Sequence, residues 1–206
     1  MDILIVGAGN MARGLATRFL AGGHPVHIAD RDPQKARRLA ADLNADATGE
    51  SLDDGPGDAR VVILAVPYPA NKEIAAAWRE SLRGKLVVDI SNPVDFATFD
   101  DLATPVGMSA AEEVAAAAPE ARVVKAFNTT FAGNLAGGAP MDVFIAGDDE
   151  SARDEIAEIA SDSGLRPVSV GGLKHARELE GFQLLHMKAQ EQIDGRFSTA
   201  IGFATV

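Results

Sequence analysis

Short apolar runs, rich in β-branched residues, recur along the chain. They cover residues 3–6, 26–29, 61–66, 86–90, 123–127, 143–146 and 168–170. Most of them lack the alternation of polar and apolar residues that a sheet with one wet face shows. They therefore predict strands that are buried on both faces, as in a parallel sheet.

Helical patterns lie between these runs. Local signals for where helices begin or end are Gly22-Gly23 after the first, Asp32-Pro33 before the second, the capping-box pattern Ser109-Ala110-Ala111-Glu112, and Gly164 after residues 148–163. Residues 173–192 again favour a helix. Glycine and proline in residues 47–58 and 132–140 predict loops there.

Strands that alternate with helices predict an α/β fold, a Rossmann-type, doubly wound and mostly parallel sheet. We expect a single NAD(P)-binding domain over residues 1–206, with residues 173–206 as a small helical C-terminal extension. The tail, residues 198–206, is apolar enough to need a partner surface. It is expected to pack on its own domain or across a homodimer.

Charge and composition exclude several classes of function. The chain has 206 residues, 19 Lys and Arg, a net charge of −11 and no cysteine. Nucleic-acid binding depends on clustered basic residues, so no nucleic-acid partner is expected. Without cysteine there are no disulfides or thiolate metal ligands, and we expect no metal site and a cytoplasmic location. Neither a signal peptide nor a membrane span is indicated.

A glycine-rich loop joins the first predicted strand to the first helix and reads Gly7-Ala8-Gly9-Asn10-Met11-Ala12. Gly7 permits a tight turn, Gly9 lets the backbone approach a pyrophosphate, and Ala12 allows close helix–strand packing. The amides and dipole at the helix N-terminus favour an anion. This order of strand, loop and helix predicts dinucleotide binding.

The end of the second predicted strand carries Asp30, Arg31 and Lys35. An acidic residue there usually accepts hydrogen bonds from the ribose of NAD, whereas a nearby arginine accommodates the additional phosphate of NADP. Arg31 and Lys35 favour NADP, with Asp30 either turned aside or opposing it. The alternative is that both cations are solvated charges at a helix start.

Further segments make the resemblance to a family specific. They are Val66-Pro67, Asp89-Ile90-Ser91-Asn92-Pro93, residues 124–129 with the sequence VKAFNT, and residues 171–180 with the sequence GGLKHARELE. With the glycine loop, they resemble the NADP oxidoreductases that use the deazaflavin coenzyme F420, and the oxidoreductase domain of the STEAP metalloreductases. The resemblance covers nearly the whole chain.

The resemblance implies hydride transfer between NADP(H) and a deazaflavin or flavin ring as co-substrate. It implies cofactor contacts at Gly7, Gly9, Asn10, Met11, Asp30, Arg31, Lys35, Val66, Pro67, Asn92 and Pro93, and acceptor contacts at Asn128, Thr129 and Phe131. Asp30 departs from the small neutral residue that is frequent in the family, which puts the preference for NADP over NAD in question.

The rings carry this hydride chemistry, so no catalytic side chain is required. Asn92 and Asn128 are candidates for hydrogen bonds to the carboxamide or ring oxygens, or for local bonds to the backbone. Two other functions stay open: a non-catalytic NADP sensor, and a dehydrogenase or imine reductase for another small substrate. The latter normally needs a positioned proton donor and a larger substrate domain.

Overall fold

The structure is a computed structural model that describes residues 1–43 and 46–204. Its strands form one sheet of eight, in the order β3-β2-β1-β4-β5-β6-β7-β8. Their bounds are β1 Ile3–Val6, β2 Val26–Asp30, β3 Ala47–Ser51, β4 Val61–Leu64, β5 Leu86–Asp89, β6 Arg122–Lys125, β7 Asp142–Gly147 and β8 Arg166–Gly171. All neighbouring strands are parallel except β6 and β7. The predicted Rossmann-type, mostly parallel sheet is confirmed.

The described residues form seven α-helices: α1 Asn10–Ala21, α2 Pro33–Leu43, α3 Ala70–Ala77, α4 Ala110–Ala117, α5 Ala132–Ala136, α6 Glu150–Asp162 and α7 Ala176–Ala189. The Ser109 side chain and the Glu112 side chain complete the predicted capping box of α4. The α7 helix confirms the predicted C-terminal helix. None of the helices in the described part of the chain is long and apolar enough to cross a membrane.

Two apolar layers cover the two faces of the sheet, because successive strand residues point in opposite directions. Ile3 and Ile5 of β1 belong to the layer shared with α1, α2, α5 and α6. Leu4 and Val6 belong to the layer shared with α3 and α4. The sheet is therefore buried on both sides at its centre, as the unbroken apolar runs predicted.

The loop predicted over residues 47–58 is wrong in part, because it contains the strand β3. This strand pairs with β2 at the edge of the sheet. A Cβ atom on its Gly49 would come within 2.4 Å of the backbone nitrogen of Arg37 in α2. The glycine thus permits close packing of the strand on the helix. In the sequence it was a loop signal, because glycine is frequent in turns.

The loop predicted over residues 132–140 is also wrong in part, because it contains the short helix α5. Leu135 of this helix is fully buried, and α5 packs closely on α1 at Gly14, where a Cβ would meet the Ala132 oxygen at 2.9 Å. The buried Arg18 guanidinium donates to the Leu135 carbonyl oxygen over 2.7 Å. Tertiary contacts stabilise this helix despite its glycine, which has a low helix propensity. The helix α3 was not predicted separately from the sequence.

Candidate functional site

Two cavities meet at the carboxyl edge of the sheet, between β1 and β4, where the order of the strands reverses. Ligands of doubly wound sheets bind at this switch point. The first, here called the β2 cavity, encloses about 400 Å³ beside the end of β2. The second, the β5 cavity, encloses about 590 Å³ beside the end of β5. Gly9, Ala65, Val66 and Pro67 line both cavities, so they form one continuous groove.

The glycine loop has the geometry that a bound pyrophosphate requires. Gly7 has a φ of +108°, and a Cβ atom there would come within 2.6 Å of the Ala65 oxygen. Gly9 is different, because a Cβ atom on it would meet no atom of the described chain within 4 Å. The space above Gly9 therefore opens into the groove and fits a ligand group that approaches the backbone.

The N-terminus of α1 faces this space without a competing side chain. Gly9 is the N-cap, no side chain caps the helix, and its first turn has no acidic residue. The exposed Asn10 and the half-buried Met11 line the β5 cavity. The amide groups of the first turn are thus available to an anion, and the helix dipole favours one.

Asp30 is held by the backbone of the glycine loop. One of its carboxylate oxygens accepts a hydrogen bond from the Ala8 amide over 3.0 Å, and the other accepts from the Asp32 amide over 2.9 Å. Arg31 and Lys35 are exposed and line the β2 cavity with Asp30. The structure thus brings the three predicted residues to one cavity, with the carboxylate turned toward the loop.

Asn92 and Pro93, which are predicted to contact the cofactor, line the β5 cavity. The Asn92 side chain is already paired: its amide nitrogen donates to the Asn128 carbonyl oxygen over 2.9 Å. Its amide oxygen accepts from the Asn128 side chain over 3.0 Å. This arrangement is the local alternative, in which the two asparagines bond to each other and to the backbone, although the buried Asn128 Oδ1 has no partner among the described residues.

The segment predicted to contact the acceptor lies behind the cavity wall. Asn128 and Thr129 are buried, and neither they nor Phe131 are among the described residues that line the groove. Asn128 also donates to the Leu179 carbonyl oxygen of α7 over 3.1 Å. Phe131 stacks on His186, with ring centroids 4.6 Å apart. The segment therefore supports the Asn92 loop from behind in this structure.

A buried charge cluster beneath the β5 cavity was missed by the sequence reasoning. The Lys125 ammonium at the end of β6 donates to Asp89 over 2.6 Å and to Glu180 of α7 over 2.7 Å. It also donates to the Ser91 carbonyl oxygen over 2.5 Å. All three charged side chains have 0% exposure. The cluster ties two strands and a helix to the Ser91–Asn92 turn that lines the cavity.

One ammonium faces two carboxylates in this cluster, so its charges do not cancel when all three groups are ionised. Burial lowers the pKa of Lys125, but the two carboxylates outweigh it and the net shift is upward. Burial raises the pKa of Glu180, only partly offset by Lys125, and Asp89 adds to the rise. Glu180 is the group that can take up a proton and neutralise the cluster.

A second polar chain starts at the wall of the β5 cavity. The Tyr68 hydroxyl, which belongs to the turn after β4, donates to the Glu113 carboxylate of α4 over 2.6 Å. Lys72 of α3 donates to the other oxygen of that carboxylate over 2.7 Å. Tyr68 lines the cavity. Its position after Val66 and Pro67 was a signal in the sequence, but its partners were not.

Comparison with known proteins agrees with this geometry. Residues 2–93 match the family model described as NADP oxidoreductase, coenzyme F420-dependent. The F420-dependent NADP reductase of Methanothermobacter thermautotrophicus is 31% identical over 197 residues, which cover 87% of this chain and 85% of that protein. The chain belongs to this family.

Other relatives fit the same family. A crystal structure of a putative F420-dependent NADP reductase from Arthrobacter sp. FB24 has a TM-score of 0.85 and 25% identity, and the match covers 100% of both chains. The metalloreductase STEAP3 of Rattus norvegicus is 33% identical over 184 residues, 87% of this chain. The chain spans only 36% of the length of that relative. Both resemblances expected from the sequence are confirmed.

Proposed function

We propose that this family member transfers a hydride between NADP(H) and a deazaflavin or flavin ring, with coenzyme F420 as the first acceptor to test. The observation that carries the proposal is the continuous groove. Its β2 cavity carries the charged side chains, two basic and two acidic, whereas the side chains that border its β5 cavity are mostly apolar and none is charged. A dinucleotide with one phosphorylated and one apolar end matches this division.

The β2 cavity suits the adenosine half of the cofactor. Arg31 and Lys35 lie on its wall and supply two positive charges to a 2′-phosphate. The Asp30 carboxylate already accepts hydrogen bonds from the Ala8 and Asp32 amides. Its carboxylate still opposes an anion, so we expect NADP to be preferred over NAD by the two cations rather than by exclusion of NAD.

The β5 cavity suits the nicotinamide and a flat acceptor ring. Apolar side chains such as Ile90, Val94, Phe96 and Met187 line it, and no basic side chain of the described chain lies on its wall to clamp a substrate carboxylate. Bound NADPH would supply a hydride, with its two electrons, and the acceptor ring would take it up together with one proton from water. The residues of the cavity orient the two rings and limit the access of water.

The acceptor contacts of Asn128, Thr129 and Phe131 stay predictions, as does the cytoplasmic location. A homodimer is supported by the exposed apolar side chains Phe182 and Leu185 of α7, Ile193 and Phe197 after this helix, and Phe203 of the tail. Surfaces of this kind commonly contact another protein. The partners proposed are thus a small ring acceptor and a second copy of the chain.

The experiment is an acceptor screen that follows the absorbance of NADPH with oxidised F420, FMN, FAD and ferric chelates. The proposal expects oxidation of NADPH with at least one ring acceptor. Binding of NADPH without turnover of any acceptor favours the non-catalytic sensor. Turnover with small imines or hydroxy acids alone favours a dehydrogenase or imine reductase.

A further inference from the structure

Tyr68 is the one ionisable side chain among the described residues that line the β5 cavity. Its hydroxyl is hydrogen-bonded to Glu113, and Glu113 is held from the other side by Lys72. The direction of these two hydrogen bonds decides which kind of atom Tyr68 can recognise in the cavity.

Glu113 is an acceptor in both bonds. Its side chain is only 7% exposed, and burial raises its pKa, but the hydrogen bonds from Lys72 and Tyr68 outweigh burial and lower the pKa overall. The group is therefore a carboxylate at neutral pH and has no proton to donate. An ammonium also only donates, so Lys72 can bond to Glu113 in one direction only.

The proton between Tyr68 and Glu113 must then belong to Tyr68. Burial raises the pKa of Tyr68 to about 12, with additional contributions from the hydrogen bond to Glu113 and from its charge. The phenol keeps its proton at neutral pH and points it at Glu113. Toward any other group, the phenol oxygen can only accept a hydrogen bond.

The other buried or paired polar side chains on the cavity wall already form hydrogen bonds within the protein. Asn92 is paired with Asn128 through both of its functions, and the Ser91 hydroxyl donates to Asp89 over 3.2 Å. Tyr68 immediately follows Pro67, which lines both cavities. It therefore lies beside the path that a dinucleotide would take through the groove.

We propose that the Tyr68 oxygen accepts a hydrogen bond from the carboxamide N–H of the nicotinamide, and so selects cofactors that carry an amide. This inference rests on the proposed function, because that function places the nicotinamide in the β5 cavity. Tyr68 is then a binding and specificity residue, and Glu113 and Lys72 are positioning residues that fix the direction of its hydrogen bond.

The test compares NADP⁺ with its 3-acetylpyridine analogue, in which a methyl group replaces the amide NH₂ at nearly the same size. The Kd of the analogue divided by the Kd of NADP⁺ is measured by calorimetry in the parent protein and in Tyr68→Phe. A neutral hydrogen bond is expected to change this ratio by about fivefold, with the loss confined to NADP⁺. An unchanged ratio in Tyr68→Phe overturns the inference.

Glu113→Gln separates this account from a purely structural role of Tyr68. Lys72 only donates, so it takes the glutamine oxygen and leaves the glutamine NH₂ facing Tyr68. The Tyr68 oxygen then accepts a hydrogen bond from the glutamine NH₂. Its own proton turns away from residue 113 and can be donated to the carbonyl group, which NADP⁺ and the analogue both carry. The ratio should fall nearly as far as in Tyr68→Phe although the phenol remains, whereas a steric role leaves it unchanged.

Glu112→Gln is the matched control, because this neighbouring carboxylate of α4 bonds to Ser109 and not to Tyr68. Its Kd ratio should equal that of the parent. Adenosine 2′,5′-bisphosphate should bind all four proteins alike. If the parent binds neither this fragment nor NADP⁺, the proposed function fails; if both bind but no variant changes the ratio, only the inference on Tyr68 fails.

Discussion

Replacing Lys125 by methionine should destabilise the protein strongly, and more at high pH than at low pH. The substitution keeps most of the side-chain volume but removes the positive charge that lies 2.6 Å from Asp89 and 2.7 Å from Glu180. Both carboxylates are fully buried, so water cannot replace the ammonium. Breaking a buried ion pair from one side costs about 3–5 kcal/mol.

The pH dependence follows from Glu180. Its pKa is already raised in the folded parent, and the loss of Lys125 raises it further. A carboxyl group with a raised folded pKa costs no stability below its unfolded pKa; the cost grows as pH rises from the unfolded to the folded pKa. Each additional unit of upward shift adds about 1.4 kcal/mol to that cost. The deficit of Lys125→Met should therefore be larger at pH 8 than at pH 5.

The assay is urea and thermal unfolding of both proteins at the two pH values. At pH 8 the deficit should lower Tm by about 6–20 °C for a chain of this size. Lys188→Met is the matched control, because Lys188 pairs with Asp100 at the surface, and its Tm should be nearly that of the parent. A Lys125→Met protein as stable as the parent, or equally destabilised at pH 5 and pH 8, refutes this account of the cluster.

Three further predictions concern the groove and the surface. Gly9→Val should abolish binding of NADPH while the fold survives, since a Cβ atom at Gly9 meets no protein atom and the φ of −90° at this position suits any residue. Gly181→Val is the control for binding, because a Cβ atom at Gly181 also meets no atom. Circular dichroism checks that both variants fold. Arg31→Ala should weaken NADP(H) by about 1.5–3 kcal/mol and NAD(H) little, and equal losses in calorimetric titrations of both cofactors contradict the assignment of the 2′-phosphate. Light scattering after gel filtration should report a dimer, and Leu185→Glu on the exposed face of α7 should shift it to monomer; a parent that is monomeric at all concentrations rejects this interface.

The glycine loop and the centre of the sheet could be predicted because their signals are local. Gly7, Gly9 and Ala12 are set by the turn and the close packing at one helix start. The strands β1 and β4 are apolar along their whole length because both faces of the sheet are covered there. The strand β3 and the helix α5 were not predicted because packing against other elements, α2 for β3 and α1 for α5, stabilises them despite their glycines.

The buried cluster shows where the sequence signal ends. Asp89 and Lys125 lie within the apolar runs over residues 86–90 and 123–127, and a charge at such a position needs a partner. The signal was thus present, but Glu180 lies 55 positions after Lys125. Similarly, Asn128 bonds to Asn92 and Leu179, which lie 36 and 51 positions away, so no local pattern shows these contacts.

The central claim is direct hydride transfer between two rings in the β5 cavity, and isotope tracing tests it most directly. NADPH that is deuterated stereospecifically at the transferring carbon is mixed with oxidised F420, and in parallel with FMN, in the presence of the protein. The account predicts that deuterium from one face of the nicotinamide appears on the reduced deazaflavin ring, at a rate that Gly9→Val abolishes. Hydrogen from the solvent at that ring carbon, or no reaction with any ring acceptor, would contradict it.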